Sequence, residues 1–182
     1  LITIFTDYNT YFRCMKTSIL KSLVMALVAL PFVFSCKKSS DNFDAAEQAR
    51  QDSIIIQQYI ADKELDAIGT GSGLYYVVND TGVCEPIDTI GTCKHPNTGS
   101  YVTVHYKGYL TSGKVFDQTS GTPAKFFVSK VIRGWQEGIP LMRKGSKYTF
   151  IIPSGLAYGN TATGDIPANS VLVFDVELIT YQ

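Results

Sequence analysis

Val131-Ile132-Arg133-Gly134-Trp135-Gln136-Glu137-Gly138 places the chain's single tryptophan directly after a Val-Ile pair, at the start of a short helical pattern. Trp135, Ile139 and Met142 recur at i, i+4 and i+7 and so share one helical face. Gly145, after Lys144, offers a left-handed stop. Pro140 lacks a backbone donor, so the helix must begin just before it or kink there. A large indole at a helix start, with branched side chains ahead of it, reads either as core filler or as the floor of an apolar pocket.

Short strand patterns flank this helix. Leu74 to Val78 reads as a strand closed by Asn79-Asp80-Thr81-Gly82. Tyr101 to Tyr106 alternates, with Val102, Val104 and Tyr106 on one face and Thr103 and His105 on the other. Thr111-Ser112-Gly113-Lys114 is a turn leading to Val115-Phe116-Asp117, and Lys125 to Ser129 is another short strand. Lys147 to Ile152 ends at Pro153, and Leu156-Ala157-Tyr158-Gly159 opens a Gly/Thr/Asn-rich loop. In Val171 to Ile179, Leu172, Phe174, Val176 and Leu178 face one way and Asp175 and Glu177 the other. The pattern predicts an α+β fold, a twisted antiparallel sheet wrapped around a short central helix and preceded by an N-terminal helix. The concave side of such a sheet is where a pocket forms.

The 182 residues amount to about one domain plus attachments. A formal net charge of zero gives no support for nucleic-acid binding through a basic surface. Residues 1–36 divide into a leader and an export signal. Leu1 to Cys14 lacks an initiator Met, and translation is expected to start at Met15. Lys16 and Lys21 form a basic region, and Leu23 to Phe34 is an apolar run shorter than the roughly 20 residues of a membrane span. Val33-Phe34-Ser35-Cys36 resembles a bacterial lipobox. That resemblance implies cleavage before Cys36, lipidation of its thiol, and attachment to a membrane outside the cytoplasm; a plain secretory signal is the alternative.

Residues 37–73 read as a tether, a helical arm and a linker. Lys37 to Asn42 is polar and flexible. Phe43 to Ile68 has helical composition, with Asp41, Asn42 or Asp44 as possible caps. Its Ile54-Ile55-Ile56 triplet is wider than a clean amphipathic stripe, so the arm reads equally as a helix docked on its own domain or as a homodimerisation surface. Gly69-Thr70-Gly71-Ser72-Gly73 lacks the Lys-Ser/Thr of a phosphate loop and precedes a strand. Residues 74–182 form the globular domain.

No Ser-His-Asp set is legible around His95 and His105, and no carboxylate pair has glycosidase spacing. Cys84, Cys93 and His95 could supply three metal ligands, but a fourth is missing and the spacing fits no zinc pattern. An oxidising compartment favours a Cys84–Cys93 disulfide instead. Neither a metal nor another cofactor is expected.

What remains is an aromatic set with few charges: Tyr106, Phe116, Asp117, Trp135, Tyr158 and Phe174. Five ordered blocks carry these residues. They are Val104-His105-Tyr106 with Gly108-Tyr109-Leu110, Gly113 to Asp117, Val131 to Gly138, Ile152-Pro153 with Ala157-Tyr158-Gly159, and Ile166-Pro167 with Leu172 to Leu178. From Leu74 onward the chain closely resembles the FKBP-type peptidyl-prolyl cis-trans isomerases, and its signal and helical arm resemble the layout of lipoprotein members. The resemblance implies an apolar pocket for a prolyl ring, lined by Tyr106, Phe116, Val131, Ile132 and Phe174, with Trp135 as floor. It implies Asp117 at the edge, Tyr158 and the Ile132 N–H as donors to substrate carbonyls, and Ile166 on a flap over the mouth. Pro123-Ala124 stands where many members carry Pro-Phe, which bears on tight macrolide binding more than on basal activity. The flap, Gly159 to Asp165, is too short to hold an inserted chaperone domain.

Elementary chemistry fits such a site. Rotation about an X–Pro bond crosses a barrier of about 20 kcal/mol because the twisted amide loses its resonance. A dry aromatic pocket favours that less dipolar form, and no acid, base or nucleophile is needed. The expected partners are unfolded, proline-containing polypeptides outside the cytoplasm. A non-catalytic proline-binding chaperone is the competing reading.

Overall fold

The computed structural model describes residues 44–84 and 92–182. The expected start at Met15, the signal, the lipobox Cys36 and the tether lie outside the described residues. Among the described residues no helix is long and apolar enough to cross a membrane.

Among the described residues seven strands form one sheet: β1 (Ile68–Gly69), β2 (Tyr75–Asp80), β3 (Tyr101–Leu110), β4 (Val115–Gln118), β5 (Ala124–Phe127), β6 (Lys147–Ile152) and β7 (Leu172–Tyr181). Their order is β1-β2-β6-β7-β3-β4, with β5 beside β4 on the same edge of β3, and every pairing is antiparallel. The helices α1 (Ala45–Asp62) and α2 (Arg133–Gly138) pack on opposite faces.

The α2 segment is shorter than the sequence pattern suggests. It turns into a 3-10 helix at Ile139–Leu141, with Pro140 in its first turn, where the missing amide costs no intrahelical bond. Trp135, Ile139 and Met142 are nevertheless all buried. Gly145 (φ 79) serves the following turn instead, its amide donating to Leu178 O at 2.6 Å. Two glycines let α2 lie almost on the sheet. A Cβ on Gly134 would stand 2.5 Å from Ile152 Cγ2, and one on Gly138 would stand 2.7 Å from Phe150 Cε1.

The concave face of the sheet contributes Val102, Val104, Phe150, Ile152, Leu172, Phe174, Val176 and Leu178 to the main core around α2. Strand β7 departs from clean alternation because Val173 is buried as well. Helix α1 is the reason: Ile56 packs on the convex face against Ile151, Val171 and Val173. Burying a side chain the size of Ile56 is worth about 1.5–3 kcal/mol. The arm thus docks on its own domain, while Ile54 and Ile55 stay exposed on its outer side. Of the three candidate caps, Asp44 does the capping, its side chain accepting from the amides of Ala46 and Glu47.

Cys84 and Cys93 are joined in a disulfide with Cα atoms 4.9 Å apart. That removes both thiols from any metal site, and His95 Nδ1 pairs with Met142 O at 2.9 Å. His105, on β3, pairs through Nδ1 with Thr119 Oγ1 at 3.2 Å.

Candidate active site

The register of the sheet builds the site. Gly108 on β3 lies opposite Phe174 on β7, which lies opposite Phe150 on β6, so these residues form a row across the concave face. On the other side of β3, Gly108 pairs with Asp117, whereas the next residue, Tyr109, pairs with Val115. Phe116 is therefore the extra residue of a β-bulge. A bulge re-aims side chains that strict alternation would send to opposite faces. Here it lets consecutive residues, Phe116 and Asp117, serve the same concave side.

Trp135 comes up from α2 at 4 % exposure and is met by three rings. Tyr106, Phe126 and Phe174 approach it edge-on, with centroid distances of 5.4, 5.6 and 5.4 Å and interplanar angles of 80–87°. Phe116 adds a fourth ring, 5.5 Å from Phe174. Edge-to-face pairs of this kind each contribute about 0.5–1.5 kcal/mol beyond area burial. The result is a close-packed aromatic cluster centred on Trp135. Trp135 Nε1 is buried there without a hydrogen-bond partner among the described residues.

Gly108 is a hidden part of this geometry. A Cβ at that position would sit 2.6 Å from Phe116 and 2.7 Å from Phe174, so only glycine lets the two rings close over β3. Phe126 is a second residue that the sequence reading passed over. Ala124 and Phe126 pair with Val104 and Val102, whose side chains face the core, and so they share the concave face. The adjacent Phe126-Phe127 pair hides this, because either ring could be the inward one.

The polar groups stand at the rim. Tyr106 Oη donates to Asp117 Oδ2 at 2.6 Å. Burial first, then the bond to Asp117, raise the Tyr106 pKa well above its ordinary value, so the phenol stays protonated and Asp117 stays its acceptor. Tyr158 lies close enough to add a smaller electrostatic push in the same direction, and its own ring is 39 % exposed. Val131 and Ile132 are half-buried and pack against the core. The Ile132 carbonyl accepts from the amides of Trp135 and Gln136, while its own N–H donates to no group among the described residues.

Ile166 lies on the loop after Tyr158, but it points into the core at 6 % exposure rather than standing free above the mouth. Thr163 and Ile166 exchange two backbone hydrogen bonds of 2.9 Å around Gly164 (φ 53), a tight turn that carries the isoleucine inward. Lys114, on the β3–β4 turn, reaches Asp165 of the same loop at 3.0 Å.

The fold and this aromatic cluster define an α+β, FKBP-like domain. The family model for FKBP-type peptidyl-prolyl cis-trans isomerases matches residues 93–179. The chain is 34 % identical to AtFKBP13, with a TM-score of 0.55, covering 64 % of this chain and 99 % of that one. It belongs to the FKBP-type peptidyl-prolyl cis-trans isomerase family. A second solved structure, a peptidyl-prolyl cis-trans isomerase from Pseudomonas syringae pv. tomato, matches with a TM-score of 0.63 at 27 % identity, over 78 % of this chain and 98 % of that one. Among curated relatives, the FKBP-type peptidyl-prolyl cis-trans isomerase FkpA of Aeromonas hydrophila is 41 % identical over 149 residues, which is 80 % of this chain. The chain spans about half the length of that relative, 51 %.

Proposed function

We propose that the chain is a peptidyl-prolyl cis-trans isomerase that acts on proline-containing segments of unfolded exported proteins. The observation that carries this reading is the set of Tyr106, Phe126 and Phe174 around Trp135, with Phe116 against Phe174 and a neutral phenol and one carboxylate at its edge.

Such a site suits a reaction in which a bond is rotated and none is broken. The prolyl ring enters the cup against Trp135, Phe174 and Phe116, flanked by Tyr106, Val131 and Ile132. At the midpoint of rotation the amide has lost its resonance and is less dipolar than the planar, hydrated ground state. The apolar cup favours it over that ground state, and each factor of ten in rate asks for about 1.4 kcal/mol of such preference. The Tyr158 hydroxyl and the Ile132 N–H hold the substrate carbonyls in the rotated geometry. Asp117, fixed by Tyr106, is the polar edge, and Ile166 anchors the flap from below. The Cys84–Cys93 disulfide supports an extracytoplasmic setting, since such bonds persist where the medium is oxidising. Lipidation at Cys36 would hold the domain at a membrane surface there.

The test is turnover of a cis-prolyl peptide by wild type, Trp135→Ala and Tyr158→Phe, alongside suppression of aggregation of an unfolded protein. The reading expects catalysis that falls at least tenfold in each variant. Absent turnover with intact suppression of aggregation would leave the non-catalytic chaperone instead.

A further inference from the structure

We propose that Asp52, on the N-terminal helix α1, is a positioning residue for Tyr158, so that the arm belongs to the catalytic unit rather than merely carrying it. The inference rests on the reading of Tyr158 as a donor to the substrate carbonyl.

Asp52 is a carboxylate with 1 % exposure, and both of its oxygens are engaged. Oδ2 accepts from Ser154 N at 2.8 Å and from Ser154 Oγ at 2.7 Å, and Oδ1 accepts from Gln48 Nε2 at 2.8 Å. Ser154 opens the 3-10 turn Ser154–Leu156 that follows β6. The first amides of a helical turn have no partner within it. A side chain 102 positions earlier in the chain therefore caps this one.

The next link leads directly to Tyr158. The Ser154 carbonyl accepts from Ala157 N and from Gly159 N, each at 2.9 Å, the two residues that bracket Tyr158. The Gly159 carbonyl then accepts from Asn169 N at 2.7 Å, which ties the far end of the flap to the same base. One carboxylate thus fixes one serine, and that serine holds the backbone on both sides of Tyr158.

Packing restrains this turn on one side only, where Leu156 enters the main core with Ala157 against it. A cavity of about 450 Å³ borders the junction, its lining including Asp52, Ser53, Ser154, Gly155 and Gly159. Gly155 and Gly159 have open space where a Cβ would stand. The apolar contact through Ile56 would dock α1 without a buried carboxylate, whose desolvation must be offset by its hydrogen bonds. What those bonds add is geometry at the Tyr158 loop. A second carboxylate fastens the linker after α1 to the Trp135 helix, since Glu137 Oε1 accepts from the hydroxyls of Thr70 and Ser72.

The test is a double-mutant cycle on the full chain, read by kcat/KM for a cis-prolyl peptide and by amide hydrogen exchange. Asp52→Ala should lower kcat/KM about tenfold in the wild-type background and less than twofold in a Tyr158→Phe background, because coupled residues are not additive. Asp52→Asn should stay within twofold of wild type: its Oδ1 can face Ser154 while its Nδ2 faces a flipped Gln48 amide. Exchange at Ala157 and Gly159 should accelerate at least tenfold in Asp52→Ala, with the β3 and β7 amides unchanged. Should Asp52→Ala unfold, Ser154→Ala keeps the backbone bond, and a threefold loss confined to the Tyr158 background is expected. Equal losses with and without the Tyr158 hydroxyl, or unaltered exchange at Ala157 and Gly159, would overturn the proposal. A wild type without turnover would instead refute the isomerase reading, and the exchange data alone would then decide the role of Asp52.

Discussion

Replacing Gly108 with alanine should open the cup from within. The added Cβ would lie 2.6 Å from Phe116 Cε2 and 2.7 Å from Phe174 Cε1. Carbon atoms rest at about 3.5–4.0 Å, so each ring must withdraw by roughly 1 Å. Phe174 cannot retreat, being 6 % exposed and braced against Trp135 at 5.4 Å. Phe116 is half-buried at the sheet edge and will be the ring that swings out. Overpacking of this kind costs about 1–3 kcal/mol, for a fall in Tm of roughly 3–10 °C. The effect on turnover should be larger than the effect on stability, because a 1 Å displacement in a reacting geometry can cost about a hundredfold. The assay is isomerisation of a cis-prolyl peptide at a temperature where the variant remains folded by circular dichroism. Unchanged Tm together with unchanged kcat/KM would refute the assignment of Phe116 and Phe174 to a close-packed cup.

Gly134→Ala should destabilise the domain by about 2 kcal/mol or more, since its Cβ would meet Ile152 at 2.5 Å and lift α2 off β6; thermal unfolding measures this. Reducing the Cys84–Cys93 bond frees a loop with a sequence separation of 9 and should cost about 2–3 kcal/mol, seen as a lower urea midpoint with dithiothreitol present. Stability should decline as pH rises past about 10, the ordinary tyrosine value. Burial is the first cause raising the pKa of Tyr106, Tyr109, Tyr148 and Tyr181. The folded chain therefore holds phenolic protons that the unfolded chain releases, so this contribution is full below pH 10 and is lost above it. A Tm that is flat from pH 8 to 11.5 would contradict those burials. Glu64 closes α1 with a left-handed φ of 51, and Glu64→Gly should raise Tm by relieving up to about 1 kcal/mol of backbone strain.

Much of this architecture was legible because alternation and helical spacing report directly on burial. Val102, Val104, Leu172, Phe174, Val176 and Leu178 face the core as their spacing predicts, and so do Trp135, Ile139 and Met142. Three features escaped because they depend on non-local pairing. The bulge that turns both Phe116 and Asp117 to the concave side exists only through the register with β3. The inward choice of Phe126 over Phe127 is likewise set by its partner Val102. Asp52 reads as one more solvated charge on a helix, and only the docking of α1 on Ser154 reveals it as buried. The same docking explains Val173, whose burial on the face opposite Phe174 has no counterpart in β7 alone. Helix α1 stops at Asp62 rather than running to Ile68, and the short strand β1 falls where composition suggested the end of the arm and the start of the linker, because two residues paired with Tyr75 and Tyr76 leave no periodicity to read.

The central claim is that an aromatic cup based on Trp135 accelerates rotation about an X–Pro bond without acid, base or nucleophile. Its most direct measurement is the protease-coupled relaxation of a cis-prolyl tetrapeptide by the full chain from pH 6 to 9. A rate that rises in proportion to protein concentration, stays level across that range and collapses in Trp135→Ala is the predicted result. A relaxation no faster than the uncatalysed peptide, or catalysis that survives loss of the indole, would contradict it.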